Sequence, residues 1–508
     1  MILAVLVLAL LIVVLDNSVL NVALRVIADP VEGLGATQSQ LQWSINSYTL
    51  VFAGLLFTWG VVGDRTGRKR VLMLGFVLFG LASVASAYSQ SAEQLIAARA
   101  AMGIGGAAVM PSTLAIIANV FPARERAKAI GIWAGSVGLA IAIGPITGGL
   151  LLDHFWWGSV FLINLPIVVV GLGLIAVLVP ESRNPRPGRL DPVGVGLQIA
   201  GLMLLVYGII RVGDRGSVGD PVAIASGLVG LVILAAFVLW ELRSDHPALD
   251  VRLFKQPTFS AAVSTIGITF FALLGVTFFM VFYLQVVRGY SPLRAGVLLL
   301  PLALGQMIFA VASTRFVQRF GIRAVTVSGL VLVAGAFLLF LALDETSPIW
   351  VLEVIFFLQG VGMATVMTPA TEAVMASLPR DLAGVGSSIN NTVRQVGGAL
   401  GVAVLGTVLS ATYRSGVDPA LSASPLPPAA RDAAAKSIAA TDSAIAAAGG
   451  RAEALRAPAY DAFIAAMHTT ALWAVGVLAV GVLVCVFFLP GRVRTPAEVQ
   501  PVTEPVPL

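Results

Sequence analysis

The stretch LIVVLDNSVLNVAL, Leu11 to Leu24, decides how the rest of the chain is read. It lies in an apolar run that starts at Met1 and lasts about 27 residues, and about 20 such residues span a bilayer as a helix. Asp16 sits slightly beyond the middle of that run. An ionised carboxylate at mid-membrane costs roughly 2.5–3.5 kcal/mol on insertion scales. It persists where it faces a wet cavity, pairs with a cation or carries a proton, and each of these makes Asp16 a functional candidate. The bland alternative is a carboxylate that only ties helices together through hydrogen bonds.

The whole chain has the composition this stretch implies. Of 508 residues, 58% are apolar and 11% charged, where a soluble protein carries about 25% charged residues. The mean hydropathy is +0.95. The basic residues fall in short links between apolar runs, so the positive net charge is not a nucleic-acid footprint, and no nucleic-acid partner is expected. The single cysteine, Cys485, rules out an intrachain disulfide or a cysteine metal site. His154, His246 and His468 are far apart in sequence and offer no metal-ligand spacing. The first run has no basic leader and contains Asp16, so it reads as a retained helix, not a cleaved signal.

Fourteen apolar segments follow one another, at approximately 2–27, 41–61, 70–89, 94–117, 128–152, 159–179, 192–212, 221–241, 259–285, 293–313, 323–343, 349–371, 383–409 and 469–489. Each is long enough to span as a helix. Open strands are excluded at that depth, because their backbone groups would lack partners. The links after even-numbered segments carry most of the basic residues, among them Arg65, Arg68, Lys69, Arg124, Arg126, Arg183, Arg315 and Arg319. The richer face is therefore expected to be cytoplasmic, with both termini inside.

Segments 7 and 8 are flanked by proline-rich links and read as a pair inserted between two six-helix halves. The expected division is 1–180 for the first half, 181–257 for the insert, 258–489 for the second half and 490–508 for a cytoplasmic tail. Arg319 and Gly321 echo Arg65 and Gly67 in register, a second sign of an internal repeat. Two related halves facing across a cavity is a transporter plan. The alanine-rich stretch 410–468 reads as an outer loop, most simply a tolerated spacer with one or two surface helices.

Several polar groups stand out against this background. Gly63, Asp64, Arg65, Gly67 and Arg68 form a link whose glycines permit a tight reversal. Asp64 there is placed to latch onto a helix N-terminus or a basic group of a neighbouring bundle. Arg99 lies inside segment 4. Asp16 and Arg99 lie about 14 and 18 residues from the cytoplasmic ends of their helices, roughly 21 and 27 Å. An Asp16–Arg99 pair is thus within reach if the two helices face one another; snorkelling of Arg99 to the interface is the alternative. Gly144, Pro145, Gly148 and Gly149 suit close helix packing and a bend. Asn21, Asn46, Tyr48, Gln285, Gln359, Asn390, Arg394 and Glu372 are the polar candidates for a cavity that receives substrate.

Taken together, these residues resemble the major facilitator superfamily, in its fourteen-helix drug:proton antiporter branch. Leu15–Leu24 looks like that branch's first-helix signature, the Asp64 link is similar to the superfamily's cytoplasmic loop motif, and the Arg99 segment is similar to its proton-transfer motif. Gly144-Pro145 with Gly148-Gly149 resembles the antiporter motif, and Phe161 to Pro166 and Tyr283 to Gln285 also fit. Arg25, Met102, Ala140 and the Trp157–Ser159 stretch depart from the pattern. Arg25 adds charge at the outer mouth, which argues against a simple preference for cations.

The resemblance implies an all-α polytopic protein that exports amphipathic or lipophilic small molecules, drug-like and in some cases cationic, in exchange for protons. It implies no cofactor beyond the proton gradient, no enzymatic turnover, a monomer, and a place in a bacterial cytoplasmic membrane. Asp16 would exchange the proton and Arg99 would stabilise its ionised form. Export of one metabolite, a self-made antibiotic or a lipid is the nearest alternative; a membrane sensor or enzyme is a remote one.

Overall fold

The computed structural model describes residues 1–184, 190–244, 247, 249–378, 383–449 and 451–491. No strand occurs among the described residues. Long helices follow the apolar runs. The first six are α1 (Ile2–Ala28), α2 (Gln38–Thr66), α3 (Arg68–Ala87), α4 (Ala92–Val120), α5 (Ala123–His154) and α6 (Ser159–Leu178). An intervening pair comprises α7 (Pro192–Arg215) and α8 (Pro221–Arg243). The rest are α9 (Pro257–Val287), α10 (Pro292–Phe320), α11 (Ile322–Ala342), α12 (Ile349–Ala376), α13 (Ala383–Ala423) and α14 (Arg456–Phe488). Thirteen helices among the described residues are long and apolar enough to cross a membrane; α5, of 32 residues, takes the place of the fifth segment.

Local chemistry sets the helix ends. Thr37 caps α2 with a reciprocal bond to Gln40. Asp191 and Asp220 cap α7 and α8 through side-chain bonds to Gly194 and Ala223 N–H groups, each with proline in the first turn. The proposed repeat has a backbone counterpart. Gly67 joins α2 to α3 at φ 123°, and Gly321 joins α10 to α11 at φ 84°. Both lie in the region that disfavours side chains.

Helices α1–α6 pack on one another, as do α9–α14. Helix α7 pairs with α8 and also lies across both α2 and α13. A small separate core of Leu50, Leu202, Val206, Ile210, Ala399 and Ala403 fills that three-way junction. Among the described residues the two sets meet closely at the end away from Asp64. There Gln285 Nε2 donates to the Val22 carbonyl at 2.9 Å, and a Cβ on Gly149 or Gly296 would strike Leu293 or Pro145 backbone.

The stretch 410–468 differs from its reading as a loop. α13 runs unbroken to Ala423 and α14 begins at Arg456, with short helices Pro428–Ala434 and Ile438–Ala447 between them. Tyr413, Ile438, Thr441 and Ile445 are buried, and the Tyr413 and Thr441 hydroxyls bond at 2.6 Å. Alanine-rich sequence has modest hydropathy but the highest helix propensity, so it extends the helices instead of leaving them. The segment also meets α1, where Arg25 pairs with Asp442 at 3.6 Å. The charge of Arg25 is thereby matched within the protein. The tail after residue 491 lies outside the described residues.

Candidate functional site

Asp16 and Arg99 form a direct ion pair, and their side chains are 1% and 0% exposed. Arg99 comes from the first third of α4 and reaches across to α1. Its Nε donates to the Ser44 carbonyl at 3.2 Å, and Nη2 donates to Asn17 Oδ1 at 3.4 Å. The guanidinium lies 4.3 Å from the centroid of the Tyr48 ring, and Tyr48 stacks on Phe52. Such a face stabilises a desolvated guanidinium.

The other carboxylate oxygen is held from α6. Asn164 Nδ2 donates to Asp16 Oδ1 at 3.0 Å and also lies 3.0 Å from Ser83 Oγ on α3. Ser83 in turn donates to the Phe161 carbonyl at 2.8 Å. Met102 Sδ, at the departure from the branch pattern, accepts from Arg99 and from Ser86. The pair is thus enclosed by α1, α2, α3, α4 and α6. Asp16 does not open onto a wet cavity; of the ways for a carboxylate to persist in the membrane, pairing with a cation is the one realised here. Removing one partner of such a buried pair is strongly unfavourable.

Its neighbours do open outward. On α1, Leu11, Val14, Asn17, Ser18 and Asn21 are partly exposed and recur at helical spacing. Asn17 belongs to both settings: it is partly exposed and it also accepts from Arg99.

Helix α5 packs closely on α1. A Cβ on Gly144 would collide with the Ser18 side chain, and one on Gly148 would meet Val19 at 3.0 Å. The next residues of the motif face α10, where Pro145 and Gly149 lie against Gly296 and Leu293. Small residues are needed on both faces, which accounts for the glycine spacing.

The Asp64 link folds onto itself. Asp64 pairs with Arg68 at 2.7 Å, and Arg68 Nη1 donates to the Ala115 carbonyl at 3.2 Å. Asn184 N–H donates to the Asp64 carbonyl at 3.0 Å, and Glu181 accepts from Lys69 N–H at 3.1 Å. A Cβ on Gly67 would meet the Glu181 carboxylate at 2.7 Å. Gly63 is buried and Arg65 exposed. Among the described residues, the partners of Asp64 are its own link and the segment after α6.

The remaining candidates scatter. Asn46 and Tyr48 are fully buried, Tyr48 against Arg99. Asn46 shares a face of α2 with Trp43 and Leu50, which meet Tyr207 on α7 and the junction core. Gln285 sits in a π-helical turn, Tyr283–Val287, and bridges to α1. Gln359 is buried. Asn390 Nδ2 donates to Thr371 Oγ1 at 3.2 Å. Arg394 is partly exposed and lies over the Phe270 ring, and Glu372 is exposed. These residues do not converge on one pocket. Asn164, Ser83 and Ser44 complete the buried site without having been singled out as site residues; Asn164 lay in the Phe161–Pro166 stretch noted for its resemblance, and for Ser83 and Ser44 the only sequence signal was a polar residue inside an apolar helix.

Fold and site together define a polytopic helical membrane protein with two packed helix sets and a charged pair sealed inside the first. The family model described as Major Facilitator Superfamily matches residues 6–402, and the chain belongs to that superfamily. It is 39% identical over 417 residues to the multidrug efflux pump LfrA of Mycolicibacterium smegmatis, covering 82% of each chain. It is 36% identical to the methyl viologen resistance protein SmvA of Salmonella typhimurium, covering 80% of this chain and 81% of that one. It is 34% identical to the tetracenomycin C resistance and export protein of Streptomyces glaucescens, covering 78% and 73%. Among solved structures, a bacterial homologue of the human lysosomal transporter Spinster, inward-facing and unoccupied, superposes with a TM-score of 0.67 at 18% identity, covering 97% of this chain and 98% of that one.

Proposed function

We propose that the protein is a proton-coupled exporter of amphipathic small molecules working by alternating access in a bacterial cytoplasmic membrane, with both termini inside. The buried Asp16–Arg99 pair carries this reading. Kinship with proteins named for multidrug efflux and antibiotic export supports the cargo class. With the termini inside, the Asp64 end is cytoplasmic and the two helix sets close on the outer side, the arrangement that admits cargo from within.

Asp16 carries the exchangeable proton. While ionised, it is held by Arg99 and Asn164. Protonation removes the charge that Arg99 answers, and the guanidinium then relies on the Ser44 carbonyl, Asn17 and the Tyr48 face. Asn17 links this change to the open face of α1. An inward proton supplies roughly 2.3 kcal/mol per 100 mV of membrane potential, besides any pH difference. The glycine face of α5 transmits movement of α1 to α10, because it touches both. The protein acts as a secondary active transporter, without cofactor, and as a monomer.

The test is Asp16→Asn in proteoliposomes with an imposed pH gradient and ethidium as probe. The variant is expected to insert and purify as a single species, less stable than the parent, and to lose gradient-driven ethidium movement. Undiminished gradient-driven transport by Asp16→Asn would remove Asp16 from the mechanism.

A further inference from the structure

Arg394 lies about a dozen residues into α13, roughly 17 Å from its start at 1.5 Å per residue, which is deep in the spanning region. Its guanidinium lies 4.5 Å from the centroid of the Phe270 ring on α9. Among the described residues that ring is its sole recorded partner: no carboxylate lies within salt-bridge distance and no acceptor within hydrogen-bond distance. This contrasts with Arg99, which has a carboxylate, a carbonyl, an amide and a ring. The residue is partly exposed. An intramembrane arginine that is neither paired nor sealed faces a water-accessible path, because lipid around it is too costly.

One turn earlier on the same helix, Asn390 is buried; its Nδ2 bonds Thr371, while its Oδ1 has no partner among the described residues. The ring under Arg394 covers one face of the guanidinium and leaves its N–H edge free. A planar fork with five donors matches a carboxylate in bidentate fashion.

We propose that Arg394 and Phe270 form a subsite for the acidic group of an aromatic carboxylate, so that the cargo class extends to amphipathic aromatic acids. The proposal rests on the export reading and deepens it. The ring orients the guanidinium, the guanidinium binds the carboxylate edge-on, and Asn390 Oδ1 accepts from a hydroxyl or amide on the same ligand.

The test uses purified full-length protein in detergent, titrated with 1-naphthoate and with 1-naphthamide and followed by quenching of tryptophan fluorescence. The pair shares one ring system and differs in charge. The acid is expected to bind the wild type at least about tenfold more tightly than the amide, the scale of one charged hydrogen bond. Arg394→Gln is expected to bind the acid no more tightly than the amide, and Arg394→Lys to keep a weakened preference, since a point charge lacks the fork. Equal binding of acid and amide by the wild type, binding of neither, or a preference that survives Arg394→Gln overturns the subsite. Should Arg394→Gln fail to elute as a single species, the wild-type pair and Arg394→Lys decide the matter. Binding needs no gradient, so the outcome is separate from the ethidium assay. Absence of gradient-driven ethidium transport by the wild type, with its acid preference intact, would discard the export reading and leave the subsite in place.

Discussion

Arg99→Gln isolates the energetic role of the buried pair. Two unit charges roughly 4 Å apart attract by about 4 kcal/mol at an effective dielectric constant of about 20. Neither side chain is screened here, since the exposures are 1% and 0%. Removing one partner leaves the other charge in place, and that costs about 3–5 kcal/mol in comparable pairs. In Arg99→Gln the carboxylate keeps only the Asn164 amide. In Asp16→Asn the guanidinium still has the Ser44 carbonyl, Asn17 and the Tyr48 ring, so the loss should be smaller. The double variant contains no unmatched charge and should be less damaged than the two single losses added together, with a coupling of about 2–4 kcal/mol. The assay is equilibrium unfolding in mixed dodecylmaltoside–SDS micelles followed by circular dichroism, on all four proteins. Single losses that add to within about 0.5 kcal/mol would refute the reasoning, because such additivity marks independent sites.

Two further outcomes follow from local geometry. Gly144→Ala should lower thermal stability and slow transport, because its Cβ overlaps the Ser18 side chain, and Ser18→Ala in the same protein should restore part of both; a Gly144→Ala protein as stable and active as the parent would contradict the close α1–α5 contact. The hydrogen bond from Arg211 holds the Asp220 carboxyl below its ordinary value of 3.8, with help from the Ala223 N–H. A depressed carboxyl contributes stability above its unfolded-state value and loses it as pH falls through the folded-state value. Acid melting curves should therefore show a fall below about pH 4 that Asp220→Asn lacks, and identical acid limbs in the two proteins would count against it.

The parts legible in the sequence were those that the bilayer itself enforces. Long apolar runs have only one spanning solution, so the helices could be placed from composition. Asp16 and Arg99 stood out because each is costly alone, and counting residues along the two helices brought them to similar depths. Asn164 and Ser83 could not be picked out in the same way. Neutral polar residues are tolerated in spanning helices, and nothing in a single chain tells which neighbour they face. The Asp64 link was recognised by its glycines, yet some of its partners come from residues 181–184, in the proline-rich link before the inserted pair, which nothing in the sequence marked as its neighbour. Within 410–468 one or two helices were expected and two short ones occur, but the extension of α13 to Ala423 and the start of α14 at Arg456 were not foreseen, because hydropathy is a poor guide where alanine dominates and burial comes from a few residues such as Tyr413 and Ile445.

Helix α7 touches α2 on one side and α13 on the other, and its two attachments are unequal. Towards α13, the Thr407 hydroxyl donates to the Ile209 carbonyl at 2.9 Å. Towards α2, the contacts are the Ile199 side chain over Gly54, the tilted Trp43–Tyr207 rings and a long Ser39–Asp214 bond of 3.4 Å. Among the described residues the α13 side adds a hydrogen bond to the α7 backbone that the α2 side lacks, so slip between the two helix sets is expected on the α2 side. The inserted pair also covers the seam between α2 and α13. A molecule dissolved in the lipid leaflet on that flank therefore meets α7 and α8 before it meets the seam between α2 and α13.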